Sequence, residues 1–225
     1  MPCALCGDII PTDVARCPAC GAWARRRDFR AIGMAVFMLL GFNAFVALGC
    51  GLSLVRLQEP LRLATRDTYD AAVTARALAP YCDVFLVCGV LAGITGLLYL
   101  AWLWRAHRQS GPHRYGRAWV LLGWVTPVVN LWLPARIVYD VWLGSGRPLR
   151  PAERHAAALV VAAWWSSVLL GAGLARVFTG LGVQSLAEAR FCVHVGVAAA
   201  ACQALAAASC MATVFHITRR QLDGA

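Results

Sequence analysis

The chain has 225 residues, 60% of them hydrophobic and 14% charged, with a mean hydropathy of +0.62. A water-soluble globule is excluded, since ordinary domains are about a quarter charged. The net charge of +10 comes from 21 basic residues against 11 acidic ones. Every basic one is arginine, so where the charge falls along the chain matters more than its sum. The lack of lysine and the heavy use of alanine fit a GC-rich bacterial genome, which is an association and not a physical argument.

The chain begins with CALCG and CPACG, which place Cys3, Cys6, Cys17 and Cys20 as two CxxC pairs separated by residues 7–16. Four thiolates suit one tetrahedral Zn²⁺, and the glycines after each pair, Gly7 and Gly21, relieve the backbone where a knuckle turns sharply. About twenty residues cannot bury a core, so the metal must supply most of the folding free energy of such a head. Four cysteines close the coordination sphere, which makes the expected Zn²⁺ structural, one per chain, and not catalytic. A disulfide pair or a redox dithiol competes with this assignment, but a reducing cytoplasmic side disfavours both. The expected zinc ribbon covers residues 1–24. A basic hinge follows at residues 25–30, where Arg25, Arg26, Arg27 and Arg30 cluster. Arg16 is the sole arginine of the head itself, a poor footprint for nucleic acid. The hinge arginines are explained more simply as a topology signal and as contacts to anionic lipid headgroups.

The membrane domain is expected over residues 31–217, with a tail at 218–225. Crossing a hydrocarbon core of roughly 30 Å takes about 20 helical residues. Four stretches are long enough and free of Asp, Glu and Arg: residues 31–55, 84–104, 156–175 and 191–217. The first is too long for the apolar core of a signal peptide, starts late, and has no small-residue cleavage site before it, so it is expected to stay as an anchor. Between the first two lies a loop of mixed charge whose Ala-rich part, residues 61–78, predicts a surface helix. A fifth apolar run, residues 118–133, is shorter and carries Pro127 within it and Pro134 after it, each of which removes a backbone donor.

Whether the fifth run crosses decides the topology. If it does, 11 arginines lie on the N-terminal side and 10 on the other; if it dips in or lies in the interface, the division is 15 to 6. The second division obeys the positive-inside rule, with both termini cytoplasmic, and a kinked fifth span is the alternative. Residues 118–143 are therefore expected to be a proline-broken re-entrant or interfacial segment. In its second half Ile137, Val138, Val141 and Trp142 share one helical face, as in a short amphipathic helix lying in the membrane plane. The fold class is an all-α membrane protein with four transmembrane helices plus this broken segment, preceded by the zinc-ribbon knuckle.

No carboxylate lies inside a span and no nucleophile elbow or phosphate loop occurs, so the chain is not expected to be an enzyme. Asn43 and Gln203 lie at mid-span, where interhelical hydrogen bonding is the simplest role. His194 and His216 stand about 33 Å apart by helical rise and cannot share a metal. The other six cysteines have no ligand spacing, although Cys82 and Cys192 both fall near the outer ends of their spans.

YLAWLWRAHRQS, residues 99–110, and GWVTPVVNLWLPARIVYDVW, residues 123–142, resemble the paired signature of an actinobacterial membrane family called domain of unknown function 4328. The matching positions are Trp102, Arg105, Ala106, His107 and Arg108, then Gly123, Trp124, Pro127, Asn130, Leu131, Trp132 and Pro134; Gln109 stands where that family commonly has asparagine. The resemblance covers roughly residues 35–217. It implies a multi-span fold and no known activity, with the cysteine head as an addition. A broken segment frees backbone carbonyls, and Asn130, Arg105 or His107 could close that gap. A structural node or small ligand pocket is therefore expected among Arg105, His107, Arg108, Pro127, Asn130, Trp132 and Pro134. The expected function is docking or assembly with a protein partner through the zinc module, with anionic lipid as a second partner and homo-oligomers open. A small-solute or lipid transporter with its pocket at the broken segment is the alternative.

Overall fold

The structure, a computed structural model, describes residues 6–9, 17–19, 26–110 and 114–223. Six helices follow in chain order: α1 (Arg26–Leu63), α2 (Ala71–Gln109), α3 (Trp119–Val125), α4 (Leu133–Gly144), α5 (Pro151–Gly180) and α6 (Leu186–Asp223). One 3-10 turn, Val129–Leu131, joins α3 to α4. Among the described residues no strand forms.

The four long helices α1, α2, α5 and α6 are apolar enough to cross a membrane, and each contains one of the four expected spans. They overshoot those spans. At 38, 39 and 38 residues, α1, α2 and α6 are about 57 Å long, nearly twice a hydrocarbon core. Hydropathy registers only the part that must avoid water; beyond it the helices continue as amphipathic pieces with charged residues. Exposed apolar side chains line α1 at Met34, Met38, Phe42, Phe45, Leu48, Leu52 and Val55. That three-or-four spacing is one helical face, of the kind lipid covers.

The expected surface helix over residues 61–78 is not there. Instead α1 runs on to Leu63 and α2 starts at Ala71, with a turn between them. Thr65 and Thr68 bond each other in that turn. The Asp70 carboxylate then accepts the backbone N–H groups of Ala72 and Val73 at 2.8 and 3.0 Å, which caps the start of α2. The alanines from Ala71 onward are helical as the start of α2; the side-chain bonds of Thr65, Thr68 and Asp70 hold the turn that separates them from α1. The last helix begins in the same manner. Glu188 accepts from the backbone of Gln184 and Ser185 while Ser185 Oγ accepts from the backbone of Glu188, a reciprocal capping box.

The chain divides into two compact units. Residues 1–37, 98–157 and 213–225 form the first, and residues 38–97 and 158–212 the second. Each long helix contributes to both, whereas α3, the 3-10 turn and α4 belong wholly to the first. The seven residues of α3 cover about 10 Å and the twelve of α4 about 18 Å, too little to cross. Neither is among the four helices long and apolar enough to cross on their own.

In the second unit the apolar core includes Leu54, Leu61, Phe85, Phe178, Cys192 and Val193. The Phe85 and Phe178 rings lie 4.9 Å apart. Tyr69 donates to Val183 O at 2.9 Å. In the first unit Trp102, fully buried, stacks on Phe29 at 6.2 Å and donates its indole N–H to Thr218 Oγ1.

Candidate functional site

Two places in the chain concentrate polar or metal-binding chemistry. In the head, Cys6 and Cys17 come from different CxxC pairs, yet their sulfurs lie 3.5 Å apart. Two thiolates on one tetrahedral Zn²⁺, each about 2.3 Å from the metal, would be about 3.8 Å apart, so this pair fits a shared metal. Gly7 takes φ +75, a left-handed turn that favours glycine. Cys3, Cys20 and Gly21 lie outside the described residues. Among the described residues no group of three or more His, Cys, Asp or Glu comes together.

The second place is the broken segment with the end of α2, all in the first unit. The break is closed mainly by its own short-range bonds. Thr126 donates from both its backbone N and its Oγ1 to Leu122 O. Asn130 N donates to Thr126 O at 2.8 Å, and Trp132 N to Val129 O at 3.2 Å. Pro134 sits in the first turn of α4, where a missing N–H costs nothing. Pro127 and Trp132 are exposed.

The amphipathic face of α4 faces protein and not lipid. Ile137, Val138, Val141 and Trp142 are all buried, Trp142 stacks on His216 at 5.5 Å, and a side chain on Gly123 would meet Leu133 at 3.0 Å. The expectation of a helix resting in the membrane plane on its apolar face is corrected by this packing: the stripe that looked lipid-seeking covers the core of its own unit.

The basic end of α2 splits by side. Ala106 and His107 are buried, while Arg105 and Arg108 point outward. His107 Nε2 lies 3.3 Å from Tyr115 O, which ties α2 to the following loop. His113 lies outside the described residues. Asn130 is half-buried, and its Oδ1 is shut off from solvent without a hydrogen-bond partner.

Sequence reasoning missed a set of residues that the fold assembles in this unit. Arg220 donates from Nε to Ser145 O at 2.8 Å and from a terminal nitrogen to Arg147 O. Gln221 donates to Ala106 O at 2.9 Å and to Ser145 Oγ at 3.0 Å. Between them Gly146 takes φ +71. The Ser-Gly-Arg-Pro run at residues 145–148 was a turn signal, but nothing in it named the arginine 74 positions later. In the second unit Asn43 Nδ2 donates to Thr95 Oγ1 at 3.2 Å. This joins α1 to α2 in the interhelical role expected of it. Cys82 and Cys192 belong to one apolar cluster and are both free thiols.

The model of the family described as Domain of unknown function (DUF4328) matches residues 64–219. That match takes in α2 through most of α6. It begins after α1, so the sequence resemblance from about residue 35 extends further than the matched region. Neither the curated proteins nor the solved structures gave a match.

Proposed function

From the premise that this chain belongs to the DUF4328 family, whose activity is undefined, we propose that it is a non-enzymatic protein of a bacterial inner membrane with a zinc-bound docking head. Cys3, Cys6, Cys17 and Cys20 hold one structural Zn²⁺, and the folded head binds a protein partner during docking or assembly. The observation that carries this reading is the approach of Cys6 and Cys17, from separate knuckles, to 3.5 Å. When bound, the metal supplies the cross-links that a module too small for a core cannot otherwise have. The chain's own contribution is seen at Gly7, whose left-handed turn follows Cys6.

The first unit takes in 15 of the 21 arginines by residue range, and the second takes in 6. Under the positive-inside rule the arginine-rich side is cytoplasmic, and with it both termini. Arg105, Arg108, Arg114, Arg117 and Arg136 are exposed on that unit and suit anionic headgroups as a second partner.

Metal analysis of the detergent-purified full chain tests the head. One Zn²⁺ per chain is expected, falling to background in Cys17→Ser with helicity retained. Zinc-free wild-type protein purified without chelator overturns the assignment. Crosslinking mass spectrometry in native membranes, with and without chelator, then tests docking: crosslinks from the head to another protein should depend on the metal.

One observation favours the second reading, a transporter of small solutes or lipids. Asn130 Oδ1 is buried with its acceptor capacity unused, and such a group is costly unless something donates to it. A ligand hydroxyl or amide bound among Asn130, Pro127 and Trp132 would do so. Solute flux that survives removal of the head and disappears in Asn130→Leu would select this reading over docking.

A further inference from the structure

Unit two of the fold, residues 38–97 and 158–212, carries uncharged polar side chains on all four spanning helices. They are Asn43 on α1, Thr95 on α2, Ser167 on α5 and Gln203 on α6. Interhelical bonding accounts for the first two. Asn43 Nδ2 donates to Leu39 O and Thr95 Oγ1, and Thr95 Oγ1 donates to Leu91 O. That leaves Asn43 Oδ1 without a donor. Ser167, 6% exposed, and Gln203 make no hydrogen bond through their side chains among the described residues.

Gln203 does not sit on a lipid face. One turn before it are Ala199 and Ala200, and one turn after it Ala206 and Ala207, all between 0% and 9% exposed. The outward face of α6 is marked instead by Phe191, Leu205 and Phe215, about half exposed. Gln203 is nevertheless only half-buried. A long polar side chain at the centre of an inward, alanine-lined face therefore keeps accessible surface where its neighbours do not.

Close approaches fix the levels. Gly171 on α5 meets Cys202 and the backbone of Gln203, so Ser167 lies about one turn away along the same interface. Gly51 meets Ala200 and Gly41 meets Met211, which sets Asn43 level with residues near 208. The three unsatisfied groups therefore fall within about 8 Å of depth, given a rise of 1.5 Å per residue. No Asp, Glu or Arg lies on these helices at this depth, so nothing here would hold a charged ligand.

We propose that Asn43 Oδ1, Ser167 Oγ and the Gln203 amide line an intramembrane site for a small uncharged molecule that both donates and accepts hydrogen bonds, with water as its resting occupant. Two acceptors, a hydroxyl and an amide N–H match such a molecule. None of the three is among the polar atoms that the fold seals off without a partner, so each keeps surface through which water can reach it. The site lies in the unit that does not contain Asn130, and it stands whether or not the head binds metal.

The test is cysteine accessibility in the membrane-embedded full chain, read peptide by peptide by mass spectrometry with 2-hydroxyethyl methanethiosulfonate as the probe. A thiol reacts as its thiolate, which needs water, so Gln203→Cys and Ser167→Cys should each label about tenfold faster than the lipid-facing control Leu205→Cys. Ser167→Cys changes a single atom and guards against loss of folding at the larger replacement. Adding Gln203→Leu to Ser167→Cys should dry the site and slow its labelling about tenfold, with no fall in thermal stability. Labelling of both test cysteines no faster than at position 205 overturns the proposal. So does a loss of stability in Gln203→Leu with labelling unchanged, because Gln203 would then be interhelical glue.

Discussion

Arg220 and Gly146 show how much can depend on single atoms in this protein. A Cβ on Gly146 would stand 2.8 Å from Arg220 O, and its φ of +71 is one that L side chains rarely adopt. Both faults act together in Gly146→Ala, because the close neighbour is backbone and cannot swing aside. We expect that variant to lose about 1–3 kcal/mol of stability, the usual range for a strained backbone position. Gly93, by contrast, has nothing within 4 Å of a built Cβ. Gly93→Ala should be neutral or slightly stabilising, by up to about 1 kcal/mol through helix propensity. Thermal unfolding of the two variants in the same detergent is the check, and equal midpoints would refute the distinction. In sequence Gly93 lies inside an apolar span and Gly146 in a Ser-Gly-Arg-Pro turn, and neither setting says how close another backbone comes. Only the return of α6 to the α4–α5 connection makes one of them irreplaceable.

Helix ends are where the elements of this chain are decided. The carbonyls that α1 leaves open at its C-terminus are met by another helix: Arg190 Nε donates to Leu61 O at 2.9 Å, and a terminal nitrogen lies 3.2 Å from both Arg62 O and Ala64 O. A guanidinium suits this task because its donors are fixed in a planar fork and remain charged. Arg190→Met keeps the aliphatic stem and removes every donor. It should cost about 1.5–3 kcal/mol, as for other hydrogen bonds from charged groups. Proteolysis should then open first near residues 61–70. Unchanged cleavage and an unchanged unfolding midpoint would show that water replaces the guanidinium without loss. The start of α2 is more local. Asp70→Ala should cost about 0.5–2 kcal/mol, the ordinary loss of an N-cap. An acid before a run of alanines is a local signal for the Asp70 cap, which the expectation of one helix over residues 61–78 passed over. Arg190 has no such signal, since its partners lie more than 120 positions upstream. The Ala-rich loop predicted a helix of its own because propensity sums do not register where the chain must turn back.

At the scale of the whole molecule the arginines are unevenly divided. Setting the fifth apolar run aside as a non-crossing segment predicts a 15 to 6 division of arginines, and the two compact units divide them in that way by residue range. Since α3 and α4 lie wholly in the arginine-rich unit, reporter fusions after residues 117 and 147 should report the same side of the membrane. Fusions in the turn near residue 67 and near residue 183 should report the other. Opposite signals at 117 and 147 would restore a kinked fifth crossing. The four CxxC cysteines stand out in the sequence because such spacing is local, but only Cys6 and Cys17 lie among the described residues. The inner polar groups of the second unit were only partly legible. Asn43 and Gln203 stood out among apolar neighbours, but Ser167 resembled any small helix residue until the approach of Gly171 to Cys202 set it at their level.

Residue order by itself determined that this is a membrane chain of four spans, because the length of an uncharged apolar run is set by the hydrocarbon it must cross and needs no knowledge of neighbours. It also determined that the proline-bearing run was a different kind of element, since a missing N–H is a covalent fact. Only the tertiary structure decided what α4 packs against, which arginine closes α1, and which polar side chains inside the bundle lack a partner. Those depend on contacts between residues far apart in the chain, and helical periodicity gives the direction a face points but not what stands opposite it.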